Sequence, residues 1–143
     1  MNRRTPLLPL LALAAVLLTA PHSQAAPLIL TENETFKLPC GHTIKVLSIS
    51  KVEFSKGVMA LMVRYQTPLS VDENKALSQE VDEVWKIAVK DVERGGYKEA
   101  IISSNEEPKG IFISANHVLN FLYEKGADNK WTRLNRTDFM AAQ

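Results

Sequence analysis

Residues 70–96 read SVDENKALSQEVDEVWKIAVKDVERGG, and this stretch decides the fold. Ser70-Val71-Asp72-Glu73 matches a capping box, in which a hydroxyl and a carboxylate satisfy the free amides of a first helical turn. Leu77, Val81, Val84, Trp85, Ala88 and Val92 then recur at helical spacing. A turn of about 100° per residue gathers them into one stripe, widened by Ile87 and Val89. Lys75, Gln79, Asp82, Lys86, Lys90 and Glu93 fall on the opposite side, where Asp82 and Lys86 form an i,i+4 pair worth ~0.3 kcal/mol. Gly95-Gly96 ends the run, because glycine takes the left-handed conformation that caps the last carbonyls. The pattern predicts one helix over about residues 71–94, a rod of roughly 36 Å at 1.5 Å per residue.

Such a stripe must be covered, and the surrounding sequence offers strands to cover it. Upstream, Thr43 to Phe54 is rich in β-branched residues, Ser55-Lys56-Gly57 reads as a hairpin turn, and Val58 to Thr67 returns as its partner. In that partner Met59, Leu61, Val63 and Tyr65 share one face, while Val58, Ala60 and Met62 share the other. Apolar side chains on both faces mark a central strand, or a face that meets another chain. Downstream, Tyr97 to Ser104 reads as a strand, Asn105 to Gly110 as a loop, and Ile111 to Lys125 as a long extended stretch interrupted by His117. Gly126 to Asn129 is a hairpin loop, and Lys130 to Leu134 pairs back with Trp131 as its anchor. Upstream of all this, Ala26 to Thr35 reads as an arm, Phe36-Lys37-Leu38 as a short strand, and Pro39-Cys40-Gly41-His42 as a turn. Trp85 and Trp131 read as core anchors. The expected fold is α+β: two layers, a curved antiparallel sheet of about 5–6 strands packed on the one long helix.

The first 25 residues carry a different pattern. Arg3 and Arg4 precede an apolar run from Leu7 to Ala20, and Ser23-Gln24-Ala25 places small residues at −3 and −1. This fits a secretory signal peptide cut between Ala25 and Ala26. The run is shorter than the roughly 20 apolar residues of a membrane span. Its Leu-rich core and early Pro6 favour the general secretory route over the twin-arginine one. The single cysteine, Cys40, is far from the cut, which argues against a lipid anchor, so no membrane anchor is expected after cleavage. Residues 26–143 then form a single domain with a frayed tail from Arg136 to Gln143, soluble and periplasmic or secreted.

The leader holds two of the 17 basic residues and none of the 16 acidic ones, so residues 26–143 carry net charge −1. A near-neutral chain with mixed signs has no electrostatic footprint for nucleic acid. One cysteine excludes an intrachain disulfide framework but leaves an intermolecular one, and with it a homodimer through Cys40. Cys40 and His42 are two apart, and a thiolate–imidazolium pair is the basis of cysteine nucleophiles, with His117 as an alternative partner. The other reading makes Cys40 a small buried thiol and His42 a solvent-facing ring, with His117 a histidine satisfied by the core. Cys40, His42 and His117 lack the paired spacing of zinc sites, so no metal is expected. Asp82-Glu83 and Glu106-Glu107 read as solvated carboxylate pairs. No phosphate loop, nucleophile elbow or dinucleotide fingerprint occurs, and no cofactor is expected. Asn33-Glu34-Thr35 and Asn135-Arg136-Thr137 match the glycosylation pattern, which matters only in a eukaryotic source.

The run Ala60 to Thr67, the segments Glu80 to Trp85, Asp91-Val92-Glu93 and Gly96-Tyr97, and the ending Asn120 to Lys125 with Asn129-Lys130-Trp131 resemble a type of small, uncharacterised exported bacterial protein. The resemblance implies a periplasmic setting and no activity, and no residue takes a role from it. Two functions fit the sequence. The first is a binding or interaction module whose partner is a protein or a small apolar ligand, held on a sheet face, a sheet edge or a helix–sheet pocket. The second is a small cysteine-dependent enzyme using Cys40 with His42 or His117.

Overall fold

The computed structural model describes residues 29–55, 57–108 and 117–134. Among the described residues, six strands and one helix follow in the order β1 (Thr35–Lys37), β2 (Thr43–Ser55), β3 (Val58–Thr67), α1 (Asn74–Arg94), β4 (Glu99–Glu106), β5 (Val118–Lys125) and β6 (Trp131–Arg133). All six strands form one curled sheet in sequential order, packed on α1, so the α+β class stands. Residues 111–116 of the long stretch expected before Lys125 lie outside the described residues, as do the signal-peptide cut and the tail.

The sheet is mixed rather than antiparallel. β3 and β4 run parallel, from Ala60 beside Glu99 to Thr67 beside Glu106. The other four pairings are antiparallel. Length explains the difference. A helix of 21 residues spans about 32 Å, and a strand of 10 residues spans about 33 Å. The helix therefore carries the chain back along the whole of β3, and the next strand starts level with its beginning.

The helix starts at Asn74, one turn short of the capping-box reading. Glu73 is the N-cap and makes no side-chain cap bond. Its carboxylate instead accepts the Ser70 amide at 2.8 Å, closing a turn ahead of the helix. The far end follows the sequence closely. Gly96 has φ +72° and donates to the Glu93 carbonyl, while the Tyr97 amide reaches the Val92 carbonyl at 3.2 Å. This pair of bonds is the Schellman arrangement.

Alternation along β3 sorts the core. Leu61, Val63 and Tyr65 face α1 and join Ile44, Val46, Val81, Val84, Ala88, Val92, Ala100, Ile102 and Tyr123 in the main cluster. Ala60 and Met62 face away and meet Ile101, Leu122, Val52 and Phe54 in a second, smaller cluster. Apolar side chains on both faces of β3 thus reflect a central strand with a core on each side. The indole rings sit at the margin of the main core: Trp85 stacks on Tyr123 at 4.0 Å between centroids and meets Trp131 edge-on at 5.1 Å.

Candidate functional site

The turn carrying Cys40 and His42 is built by short-range bonds. The Leu38 amide donates to the His42 carbonyl and the Gly41 amide to the Leu38 carbonyl, with Gly41 at φ +93°. Buried Leu38 pins the turn to the core. Two acids one helical turn apart on α1 then hold it from above. Glu83 accepts the Cys40 amide at 2.8 Å, and Glu80 accepts at 2.9 Å from Nδ1 of His42. A third acid, Asp91, accepts the amides of Ile29 and Leu30 at 3.0 Å. The acids of one helix therefore strap down the segment that precedes β2.

Glu80 is completely buried. Its Oε2 also accepts the Thr67 hydroxyl at 3.0 Å. Its Oε1 and the buried Tyr65 hydroxyl have no hydrogen-bond partner among the described residues. Tyr65 nevertheless feels the carboxylate: burial first, then Glu80, push its hydroxyl well above the ordinary tyrosine range. A buried carboxylate is costly unless its oxygens are satisfied, and Thr67 and His42 do this for one of the two.

The Cys40 thiol is shifted in the direction opposite to a nucleophile's. Burial raises its pKa, the His42 backbone bond works against this, and the Glu83 and Glu80 carboxylates raise it further. Reactive cysteines need positive surroundings; this one has two negative neighbours. Glu83, by contrast, is held below the usual carboxylate range, chiefly by the Cys40 amide. His42 directs its Nδ1 at Glu80. His117 stands just before β5, its side chain 61 % exposed and its Nδ1 3.6 Å from Glu106. It is a surface ring, and the core environment expected for it is not found. Its exposure follows from its place outside the pleat, where alternation no longer assigns a face.

Asp82 is exposed, as the solvated-face reading expects, and Glu83 is half-buried, but both are engaged. Asp82 accepts from Arg133 at 2.7 Å and Glu83 takes the turn. Sequence reasoning missed Glu80 and Asp91, although a signal existed: at about 100° per residue both fall within about 60° of Leu77, on the apolar stripe. Among the described residues no group of three or more His, Cys, Asp or Glu could hold a metal ion.

A separate cleft of about 220 Å³ opens between the start of α1 and the edge of β5. Asn74 and Leu77 line it from the helix, Leu119, Asn120 and Phe121 from β5, and Arg133 and Leu134 from the end of β6. β6 pairs only with Tyr123 to Lys125, so Val118 to Phe121 form an unpaired edge among the described residues. The Leu134 amide bonds the Leu122 carbonyl, so even-numbered positions of β5 point their backbone groups outward. Val118 and Asn120 are the next two. Arg133 at the rim is committed to Asp82 and to the Ser78 hydroxyl at 2.8 Å. No protein-family model, no curated protein and no solved structure matches the chain.

Proposed function

We propose that this chain is an exported, periplasmic or secreted, binding module that takes an extended segment of a partner protein at the β5 edge. The observation that carries the reading is that backbone groups at Val118 and Asn120, unpaired among the described residues, adjoin a cleft lined by Leu77, Leu119, Phe121 and Leu134 together with Asn74, Asn120 and Arg133. A strand added to a sheet edge gains main-chain hydrogen bonds, and an adjacent pocket selects one of its side chains. At about 220 Å³ the cleft is smaller than the roughly 300–1,000 Å³ of small-molecule sites, which favours one peptide side chain over a whole ligand. Leu77, Leu119, Phe121 and Leu134 supply the apolar part of the lining, and Arg133 is already paired with Asp82, which favours an uncharged side chain with an apolar body. The export half of the reading rests on the leader pattern of residues 1–25.

The cysteine-enzyme reading gains nothing from the geometry, because the thiol sits among carboxylates and its pKa is raised. To test the binding reading, an unbiased peptide library is panned on the protein purified from cells expressing residues 1–143. The expected outcome is a consensus with one apolar anchor. Its binding should fall at least tenfold in Leu119→Arg, which fills the cleft, and in Asn120→Pro, which removes an edge amide. Peptides that bind both variants as well as the parent, or no selected peptide at all, would refute the cleft.

A further inference from the structure

The opposite edge of the sheet carries an independent signal. β1 covers only Thr43 to Lys45 of the 13-residue β2. The arm continues the cover briefly: Val46 exchanges backbone bonds with Asn33 and Glu34, and the Ile49 amide donates to Glu32 Oε1 at 2.8 Å. From Ser50 to Glu53 the edge is paired with no further strand among the described residues. Since the Ile49 amide points outward, Lys51 and Glu53 do the same in the strand alternation. Both are exposed, and their side chains share the face of Leu61 and Met59. Val52 between them is half-buried on the other face, beside Ala60.

A lone lysine on an edge strand ordinarily keeps other strands away. Here a glutamate follows it two residues later on the same face, which makes the edge complementary to itself. An antiparallel copy related by a twofold axis through Val52 sets Lys51 beside Glu53 of the second copy, and Glu53 beside its Lys51. In that register the outward amides and carbonyls of both residues are the hydrogen-bonding pairs, and Val52 meets Val52 at the close, non-hydrogen-bonded position. A shift by two residues sets Lys51 against Lys51, or Glu53 against Glu53, and leaves no opposite-charge pair. Glu32 on the Ile49 amide keeps the pairing to residues after Ile49, centred on Lys51-Val52-Glu53.

We infer that this edge is an interface between two copies of the chain, with Lys51-Val52-Glu53 as its recognition element. The inference is independent of the β5 cleft and survives its failure. It is also distinct from a disulfide through Cys40, which lies at the other end of β2.

Sedimentation equilibrium in reducing buffer, over a range of protein concentration, tests it with charge variants. The parent chain should dimerise. Lys51→Glu and Glu53→Lys should each weaken self-association at least about tenfold through like charges placed opposite one another. Mixing the two single variants should restore a dimer, now a heterodimer, and the double variant K51E/E53K should recover the parent behaviour. A parent chain that stays monomeric at millimolar concentration would overturn the inference. So would a dimer indifferent to both single variants, or one that dissolves on adding reductant.

Discussion

At the scale of single residues, the account turns on which groups hold which. Cys40 and His42 look in sequence like a nucleophile and its base, yet each is taken by a different acid of α1. The raised thiol pKa has a directional consequence. With less thiolate at pH 7 than an ordinary cysteine, alkylation by iodoacetamide should be slower in the folded protein than in the same protein in urea. The midpoint of its pH dependence should lie above the roughly 8.5 of a free thiol. Faster alkylation in the folded state, lost in His42→Ala, would restore the enzyme reading. Glu80 makes the second residue-scale prediction. Glu80→Ala strands the Thr67 hydroxyl and the His42 ring around a cavity and should cost about 3 kcal/mol in urea unfolding. Glu80→Gln, which keeps the shape and an acceptor, should cost clearly less. Equal stabilities for the two variants would show that the carboxylate bonds contribute little.

Elements were legible to different degrees, for physical reasons. The α1 stripe is periodic from Leu77 to Val92, about four turns, so the residues that cover the sheet could be named in advance, and the glycine pair marked the helix end. Gly96 offers a test. At φ +72°, with no atom within 4 Å of where a Cβ would lie, its substitution strains only the backbone. Gly96→Ala should therefore lower stability by about 1 kcal/mol, and Gly96→Asn by less, because asparagine tolerates the left-handed region. An unchanged melting temperature in Gly96→Ala would contradict the Schellman assignment. The helix start was misplaced because Ser70 and Glu73 use their cap chemistry on a preceding turn. Strand alternation says which face a side chain takes and nothing about direction, so the parallel β3–β4 pair was hidden in composition. It was present only in the near-equal lengths of helix and strand. Glu80 and Asp91 were missed for a similar reason: residue type suggested solvent, while angular position placed them on the buried stripe.

At the scale of the whole molecule, the sheet has two ends with different chemistry. The β2 edge carries Lys51 and Glu53, whereas the β5 edge is flanked by a cleft of mixed apolar and polar lining. No helix among the described residues is long and apolar enough to cross a membrane. The candidate chemistry of the Cys40–His42 turn is absorbed in holding the residues before β2 against α1, and the partner site we propose lies at the β5 edge. NMR titration of the isotope-labelled protein with its library-selected peptide tests this most directly. The account predicts amide shifts centred on Val118, Leu119, Asn120 and Phe121 and extending to Asn74 and Leu134. Shifts centred instead on Cys40, Gly41 and His42, with the β5 edge unmoved, would contradict it.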